Sequence, residues 1–472
     1  MILSDALLWI LPPLLIALAV GAAGHALLTK LNSSSAFGWI ALCIILPLAG
    51  PIIYLLFGIN RVSKRARKTY LTKLLKDSSD TLNEPPGTDF RPLSMVGERI
   101  IKKGLSSCDE IVVLENGEAL YPAMLQAINT AARRILLSTY IFDNDETGRQ
   151  FVQALAAARE RGVEVKVIVD GMGEFTSLPR IGSVLRRHQI DFVRFNPITL
   201  IPPALDLNMR SHRKVLVVDG VFAFTGGANI GIRHLSERVG HWDRAMDIHF
   251  RLRGRIVDEL EWAFRRDWHY CQGTRHLGPF QHCNRIHDDA PAWSRLILDG
   301  PNKDLDRIND LILGVVSAAH HKVWIMTPYF LPTLDLIGAL HAAYLRGVDV
   351  QILLPGYNNI KPAHWACRNF LRQVLKYDID VFYQPPPFVH SKLLLIDDQY
   401  ALIGSANLDP RSLRLNYELG VELFSSDLNA QLSRYFSARR EQARRVTREE
   451  IERRSLPERL RDSLAWLFSP YL

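Results

Sequence analysis

Cysteine is scarce in this chain, and its spacing is irregular. The 472 residues include 5 cysteines, and no two of them form a C-x-x-C pair. This pattern excludes a disulfide-stapled framework and offers no zinc-finger spacing. It suits a reducing compartment, where thiols stay unpaired. No other run of residues has metal-ligand spacing, so we expect neither a metal nor another cofactor.

Charge is missing from two long stretches near the N-terminus. Residues 6–28 and 37–57 contain no Asp, Glu, Lys or Arg, and each stretch is long enough to cross a hydrocarbon core of about 30 Å. A cleaved signal peptide fits poorly, because no basic segment precedes the first stretch and a second follows directly. These residues predict a transmembrane helical hairpin. Prolines interrupt both stretches, so a kinked or re-entrant hairpin is the alternative.

Positive charge is concentrated directly after the apolar stretches. Seven Lys and Arg residues lie between positions 61 and 76, whereas the connector between the stretches holds only Lys30. The positive-inside rule therefore predicts a multi-pass protein whose remaining chain lies in the cytoplasm. The net charge of +8 indicates an anionic partner, either lipid headgroups or nucleic acid.

One pattern occurs twice in the rest of the chain. Residues 212–229 read HRKVLVVDGVFAFTGGAN, and residues 390–407 read HSKLLLIDDQYALIGSAN. An internal repeat of this kind predicts two copies of one structural unit. The residues shared at equal offsets are His212, Lys214, Asp219, Gly226 and Asn229 in the first copy, and His390, Lys392, Asp397, Gly404 and Asn407 in the second.

The repeated residue types suit phosphate chemistry. The apolar runs Val215–Val218 and Leu393–Ile396 predict buried strands, beside which each Lys projects with its His. A His can act as nucleophile or as acid/base near neutral pH. Lys, Asn and closely approaching backbone N–H groups can hold phosphoryl oxygens.

This doubled motif resembles the phospholipase D superfamily, in which H-x-K-(x)4-D occurs in both halves of one active site. Three further stretches are similar to bacterial cardiolipin synthases of the phospholipase D type: GWIALCIILPLAGPIIYLLFG, NMRSHRK and SLPERLRDSLAWLFSP. The first motif has Gly227 where the superfamily often has Ser, a familiar variant in the synthases. The resemblance implies an α/β fold with two α/β/α sandwich domains, related by pseudo-twofold symmetry and facing one cleft.

Alternating strand and helix patterns agree with that fold. Strand, helix and strand are predicted over residues 135–142, 148–161 and 163–170, and again over 322–330, 334–346 and 348–355. The predicted parts are a transmembrane hairpin (1–60), a basic juxtamembrane segment and linker (61–90), a first phospholipase D-like domain (91–288), and a second one with an Arg-rich tail (289–472).

The resemblance implies roles for the two histidines. One attacks phosphorus to give a phosphatidyl-histidine intermediate, and the other protonates the departing glycerol. We assign His212 as nucleophile and His390 as acid/base, although the motifs are too alike to decide between them. The residues expected to hold the phosphoryl oxygens are Lys214, Lys392, Asn229, Asn407 and Ser405.

Carboxylates have two expected roles. Asp219 and Asp397 complete the catalytic motif, but their position at the far strand end favours fixing the local turn. Partners that orient the histidines are expected at Asp243 and Glu418, with Asp247 competing for the first position. At the ends of the matching strands LLSTYIF and WIMTPYF, two tyrosines either border the site or pack in the core: Tyr140 and Tyr329.

The function implied by the resemblance is that of a phosphatidyltransferase. It would join two phosphatidylglycerol molecules into cardiolipin and release glycerol, without a cofactor, at the cytoplasmic face of the bacterial inner membrane. A hydrolytic phospholipase D would use the same residues with water. A nuclease of the superfamily would share the basic surface, but the membrane hairpin argues against it, so no nucleic acid is expected. The Arg-rich tail either lies along anionic lipid or forms internal salt bridges.

Overall fold

A computed structural model describes residues 2–30, 32–58, 90–198, 208–237, 244–274 and 290–469. The chain divides into two compact units, Met1–Thr69 and Tyr70–Leu472.

The N-terminal unit is a pair of apolar helices. Helix α1 (Ile2–Thr29) contains Leu11–Thr29, which among the described residues is the single stretch long and apolar enough to cross a membrane. Helix α2 (Ser33–Ile45) packs along it. Its first turn is capped by Asn32, whose side chain accepts a hydrogen bond from the Ser35 backbone N–H at 3.0 Å.

The second apolar stretch is not one continuous helix. Helix α2 ends just before Pro47, and α3 (Ala49–Ile53) and a π-helical turn (Tyr54–Gly58) follow. Proline removes a backbone donor and disfavours a helical conformation in the preceding residue, which accounts for the break. The second stretch is therefore an interrupted helix, which agrees with the kinked alternative that its prolines indicated.

The larger unit alternates strands with helices. Its helices are α4 (Arg91–Ile101), α5 (Asn116–Thr130), α6 (Glu146–Glu160), α7 (Ile181–Arg187), α8 (Arg255–Gln272), α9 (Arg307–Ala318), α10 (Leu334–Leu345), α11 (Lys361–Val374), α12 (Pro410–Arg414), α13 (Ser426–Glu441), α14 (Arg448–Glu452) and α15 (Leu456–Leu467). Its strands are β1 (Ser106–Cys108), β2 (Glu110–Glu115), β3 (Arg134–Thr139), β4 (Glu164–Asp170), β5 (Asp191–Phe195), β6 (Val215–Val218), β7 (Phe222–Gly226), β8 (Ala245–Met246), β9 (Ile248–Arg253), β10 (Ala292–Asp299), β11 (Lys322–Met326), β12 (Asp349–Pro355), β13 (Asp380–Gln384), β14 (Phe388–Val389), β15 (Leu393–Ile396), β16 (Tyr400–Gly404), β17 (Glu418–Phe424) and β18 (Arg444–Arg445).

Two large sheets repeat one strand order. The first runs β2-β9-β7-β6-β3-β4-β5, and the second runs β1-β10-β17-β16-β15-β11-β12-β13-β18. Without its edge strands β1 and β18, the second sheet matches the first strand for strand. In each, three strands are parallel (β3 to β5, and β11 to β13), and the other neighbours are antiparallel. Each sheet covers its own apolar core. The prediction of two α/β halves is confirmed.

The start of the first predicted domain belongs to the second half. Strand β1 pairs with β10, and α4 packs against α9, so the first sheet begins only at β2. The fully buried Arg295 holds this segment: its guanidinium donates to the carbonyls of Ser94 and Gly104 at 3.0 and 3.2 Å and pairs with Glu422 at 3.0 Å. A buried guanidinium needs several acceptors, and this segment supplies them.

The two halves are also joined directly. Strand β8 of the first half pairs in parallel with β14 of the second. The buried Arg213 forms an ion pair with Asp267 at 2.7 Å and donates to the carbonyls of Glu418 and Asp299, both at 3.0 Å. One side chain of the first half thus contacts two strands of the second half.

The Arg-rich tail forms many internal ion pairs. Its arginines contact carboxylates in other elements, for instance Arg445 with Asp380 at 2.5 Å, Arg439 with Glu115 at 3.2 Å, and Arg454 with Asp462. This is the salt-bridged arrangement that was one of the two expected. The last helix, α15, nevertheless has an exposed apolar face, formed by Leu456, Leu460, Leu464, Leu467 and Phe468.

Candidate active site

A cavity of about 480 Å³ lies between the two halves. His212 and His390 both line it, so the two motif copies share one site. Each histidine is held by backbone of the other half. The His212 N–H donates to the Tyr417 carbonyl at 2.9 Å, and the His390 N–H donates to the Met246 carbonyl at 2.7 Å. This is the shared cleft that the resemblance to the phospholipase D superfamily implied.

Each histidine is oriented by a carboxylate from the opposite half. Nδ1 of His212 donates to Glu418 Oε2 at 3.0 Å, and it also lies 3.0 Å from the Ser405 carbonyl. Nδ1 of His390 donates to Asp247 Oδ2 at 2.7 Å. A carboxylate on Nδ1 fixes the tautomer and leaves Nε2 for chemistry.

Asp247, rather than Asp243, is the carboxylate beside His390. Asp243 lies outside the described residues. The structure makes Asp247 the counterpart of Glu418: Asp247 directly precedes β9, Glu418 opens β17, and these strands hold the same place in the two sheets. The connection from β7 to β9 is longer than that from β16 to β17, so counting from the histidines pointed to Asp243 rather than Asp247. Aligning the strand patterns DIHFRL and ELGVEL would have found it.

Gly227 and Ser405 accommodate these carboxylates differently. A Cβ at Gly227 would lie 2.4 Å from Asp247 Oδ1, so a side chain there would displace the carboxylate. In the second half, the Ser405 hydroxyl donates to Glu418 Oε2. Ser405 is fully buried and does not line the cavity. Its side chain supports Glu418 rather than facing a phosphate.

The two lysines lie beside their histidines. Nζ of Lys214 donates to the His212 carbonyl at 2.7 Å, and Nζ of Lys392 lies 2.9 and 3.0 Å from the two ring nitrogens of His390. Burial lowers the pKa of Lys214 to about 7 and that of Lys392 to about 8. A bound anion would oppose this loss of charge, because it favours the protonated amine.

The histidines are biased toward the neutral form. Burial lowers the pKa of His212, against the opposing charge of Glu418. Burial and the neighbouring Lys392 lower the pKa of His390 well below its ordinary value. Burial would raise the pKa of Glu418, but its contacts with His212 and Lys214 outweigh it, so the pKa is lowered. In their neutral form both imidazoles can act as a nucleophile or a base.

The two predicted asparagines line the cavity. Oδ1 of Asn229 accepts a hydrogen bond from the Ile141 backbone N–H at 3.2 Å, which leaves its amide N–H groups as donors. Nδ2 of Asn407 donates to the Ser412 hydroxyl at 3.2 Å. Both side chains therefore line the same cavity as the two histidines.

Asp219 and Asp397 lie at the far ends of their strands. The Asp219 carboxylate accepts hydrogen bonds from the backbone N–H groups of Ala132, Arg133 and Arg134 at 2.8–2.9 Å. The Asp397 carboxylate accepts from residues 320, 321 and 322 at 2.7–3.2 Å. Each has a positive φ, of 56° and 51°, at a turn. Each aspartate fixes its turn to the start of the neighbouring strand in the sheet, β3 or β11. Neither lines the cavity.

Several cavity residues were missed or left open by the sequence analysis. Both tyrosines line the cavity, and the Tyr140 ring lies 5.3 Å from that of His212. A signal existed for four others, because Arg233 and Arg411 share one offset from their histidines, as do His234 and Ser412. The full set of missed ionisable residues is Arg210, Arg233, His234, Arg244, Asp409 and Arg411. Among the described residues, no cluster could hold a metal ion.

The family comparison covers both halves. The family described as "Cardiolipin synthase, PLD-like domain" matches residues 124–268 and 312–440. A second family, described as "Phospholipase_D-nuclease N-terminal", matches residues 17–58. The two matched regions of the first family contain both copies of the motif.

Relatives match along nearly the whole chain. A cardiolipin synthase of Geobacillus sp. (strain WCH70) is 31% identical over 448 residues, which are 92% of this chain and 88% of that protein. The major cardiolipin synthase ClsA of Bacillus subtilis (strain 168) is 29% identical over 459 residues, covering 93% and 94%. The crystal structure of phosphatidylserine synthase from Haemophilus influenzae Rd KW20 covers 80% of this chain and 100% of its own, with 15% identity and a TM-score of 0.63, and it shows the shared fold.

The fold, the doubled motif and the full-length relatives agree. The predicted membership of the phospholipase D superfamily is confirmed, and so is its narrower branch. This chain belongs to the cardiolipin synthase family with phospholipase D-like domains.

Proposed function

We propose that this chain is a phosphatidyltransferase that makes cardiolipin from two phosphatidylglycerol molecules and releases glycerol. One observation carries the proposal: two histidines in one cavity, each oriented through Nδ1 by a carboxylate of the other half. Relatives of about 30% identity over nine-tenths of the chain support the same activity.

The first step transfers a phosphatidyl group to the protein. Nε2 of His212 attacks phosphorus, the phosphorus–oxygen bond to glycerol breaks, and protonated His390 gives its proton to the leaving alkoxide. His390 needs that proton at the start of the step, and the bound phosphodiester anion favours its uptake. Lys214 and Lys392 oppose the negative charge that develops on the phosphoryl oxygens, together with Asn229 and Asn407.

The second step returns the phosphatidyl group to a lipid. Neutral His390 removes a proton from a hydroxyl of the second phosphatidylglycerol, whose oxygen attacks phosphorus. The phosphorus–nitrogen bond breaks, and His212 becomes free. One phosphodiester bond replaces another, so the reaction balances without a nucleotide.

The membrane arrangement belongs to the same proposal. Helix α1 is apolar and of spanning length, and seven basic residues follow the hairpin. These features support integral membrane anchoring in the bacterial inner membrane with the catalytic unit on the cytoplasmic side. The exposed apolar face of α15 gives that unit its own contact with lipid, which suits an enzyme whose substrates lie in the bilayer.

The direct test is a product analysis. Purified protein in detergent–lipid micelles is incubated with phosphatidylglycerol labelled in its glycerol headgroup as the single lipid. The proposal expects cardiolipin with one glycerol released per molecule formed. Phosphatidic acid without cardiolipin would indicate a hydrolase, and the absence of both products would contradict phosphatidyl transfer.

A further inference from the structure

The cavity holds more positive charge than one phosphodiester requires. Four arginines line it, in two places. The two motif lysines lie beside its histidines. We name these places after the proposed roles of the histidines: the nucleophile end beside His212 and the acid/base end beside His390. The four side chains are Arg210, Arg233, Arg244 and Arg411.

At the nucleophile end, the arginines are matched by carboxylates. Arg210 is buried and lies 3.4 Å from Asp170. Arg411 acts electrostatically on Asp409, which lies two residues before it on the cavity wall. The positive charges of both arginines also oppose the rise that burial causes in the pKa of Tyr140. These pairs leave little net charge for a second anion.

At the acid/base end, one of the two arginines hydrogen-bonds to a neutral group and the other pairs with a carboxylate. Arg233 pairs with Asp143 at 2.9 Å, and its side chain is one-third exposed. Nη1 of Arg244 donates instead to the Ser236 carbonyl at 2.9 Å, a neutral acceptor that does not balance its charge. The Arg244 carbonyl accepts a hydrogen bond from the Phe388 N–H at 3.2 Å. Because Phe388 lies two residues before His390, this pairing places Arg244 near that histidine.

The proposed reaction brings a second phosphate, that of the acceptor lipid, to one end of the cavity. The incoming hydroxyl is deprotonated by His390, so the acceptor enters at the acid/base end. When the acceptor is phosphatidylglycerol, its own phosphate lies across a glycerol unit from the attacking oxygen. Water and free glycerol carry no such phosphate. Two arginines at this end would bind the acceptor through its phosphate, which the competing acceptors water and free glycerol lack.

We propose that Arg233 and Arg244 form the binding subsite for the phosphate of the acceptor phosphatidylglycerol. This inference rests on the proposed function and adds the basis for acceptor choice. Arg244 supplies the charge, and Arg233 supplies a guanidinium already oriented by Asp143. The subsite would favour transfer to lipid over hydrolysis.

Two assays separate acceptor binding from the shared chemistry. The first measures cardiolipin formation from phosphatidylglycerol. The second measures exchange of the phosphatidylglycerol headgroup with labelled free glycerol, which uses the same histidines but an acceptor without phosphate. For Arg244→Gln we expect cardiolipin formation to fall at least about tenfold while glycerol exchange stays within about twofold.

Further variants control for folding and charge. Arg244→Lys keeps the charge and should restore part of the loss, and Arg233→Gln should repeat the selective effect. Arg159→Gln serves as matched control, because Arg159 lies on the exposed face of α6 and bonds Gln189. Glycerol exchange itself reports that each variant is folded.

Three results would overturn the proposal. Equal loss in both assays would place Arg244 in the shared phosphoryl site. Unchanged cardiolipin formation in Arg244→Gln would remove any role in acceptor binding. A selective loss in Arg411→Gln instead would move the subsite to the nucleophile end. A wild-type protein that exchanges glycerol but makes no cardiolipin would contradict the proposed function, and it would do so independently of these variants.

Discussion

At the scale of single residues, each histidine depends on a carboxylate far away in the sequence. Glu418 lies 206 positions from His212, and Asp247 lies 143 positions from His390. Both carboxylates are fully buried. A buried carboxylate that accepts Nδ1–H fixes which ring nitrogen faces the cavity, and it stabilises the positive charge that forms on the ring.

The assignment of Asp247 predicts a sharp difference between two nearby aspartates. Asp247→Asn should lower the rate of cardiolipin formation by about 10²–10⁴-fold, because the amide cannot favour the required tautomer. Asp243→Asn should stay within about twofold. Steady-state rates with thermal melting as a folding check decide the matter. The reverse ranking would restore Asp243 as the orienting residue.

The lysines predict a pH dependence of anion binding. With pKa values of about 7 and 8, Lys214 and Lys392 are charged below these values and lose charge as the pH rises through them. Affinity for glycerophosphoglycerol, a monoanion throughout this range, should therefore weaken between pH 7 and 9. Inhibition constants measured across that range test this.

A charge-retaining variant provides the control for that pH dependence. Lys214→Arg cannot lose its proton in this range, so its inhibition constant should change less steeply with pH. Identical pH profiles for the two proteins would contradict a titrating Lys214.

At the scale of elements, helix α15 has an unusual surface. Five large apolar residues along one face are between 53% and 66% exposed, at spacings of three and four residues. The opposite face packs against α11, whose first turn contributes Ala363 to the cavity. Exposed arginines on neighbouring turns favour an anionic bilayer as the partner of this face.

This face predicts a difference between two forms of the substrate. Leu460→Gln with Leu464→Gln should slow cardiolipin formation at least about tenfold in phosphatidylglycerol bilayers, since each leucine withdrawn from lipid costs about 1.5–3 kcal/mol. Dispersed short-chain phosphatidylglycerol should be used at an unchanged rate. Leu178→Gln, which changes an exposed leucine of the first half away from this helix, is the matched control. Equal rates for both substrate forms in the double variant would exclude a lipid contact here.

The elements also show what the sequence could predict. Strands β6 and β15 have the predicted bounds, because a short apolar run between a motif and a turn has few alternatives. The edge strand β1 was not foreseen, since its pairing with β10 is a long-range contact that local patterns do not encode. Asp247 was missed for a related reason: loop length varies freely between the halves, whereas strand position does not. Arg233 and Arg411 carried a repeat signal that extended beyond the familiar motif.

At the scale of the whole molecule, the pseudo-twofold arrangement makes one site from two similar halves. Neither half holds a complete histidine–carboxylate pair, because each carboxylate reaches the histidine of the other. Arg213 joins the halves through a buried ion pair and two carbonyls. The two halves differ in three respects. The orienting carboxylate is the shorter Asp247 in one half and Glu418 in the other, Gly227 stands where the second half has Ser405, and the cavity arginines have different partners. These differences allow the two histidines to take different roles.

The most direct test of the account is to trap the covalent intermediate. His390→Ala, with phosphatidyl-p-nitrophenol labelled in its phosphate, should accumulate acid-labile label on the peptide that contains His212, because nitrophenolate leaves without a proton from His390 whereas the second step lacks its base. His212→Ala should bind no label. Label on His390 in the His212→Ala protein would reverse the assigned roles, and the absence of label from both variants would contradict a phosphatidyl-histidine mechanism.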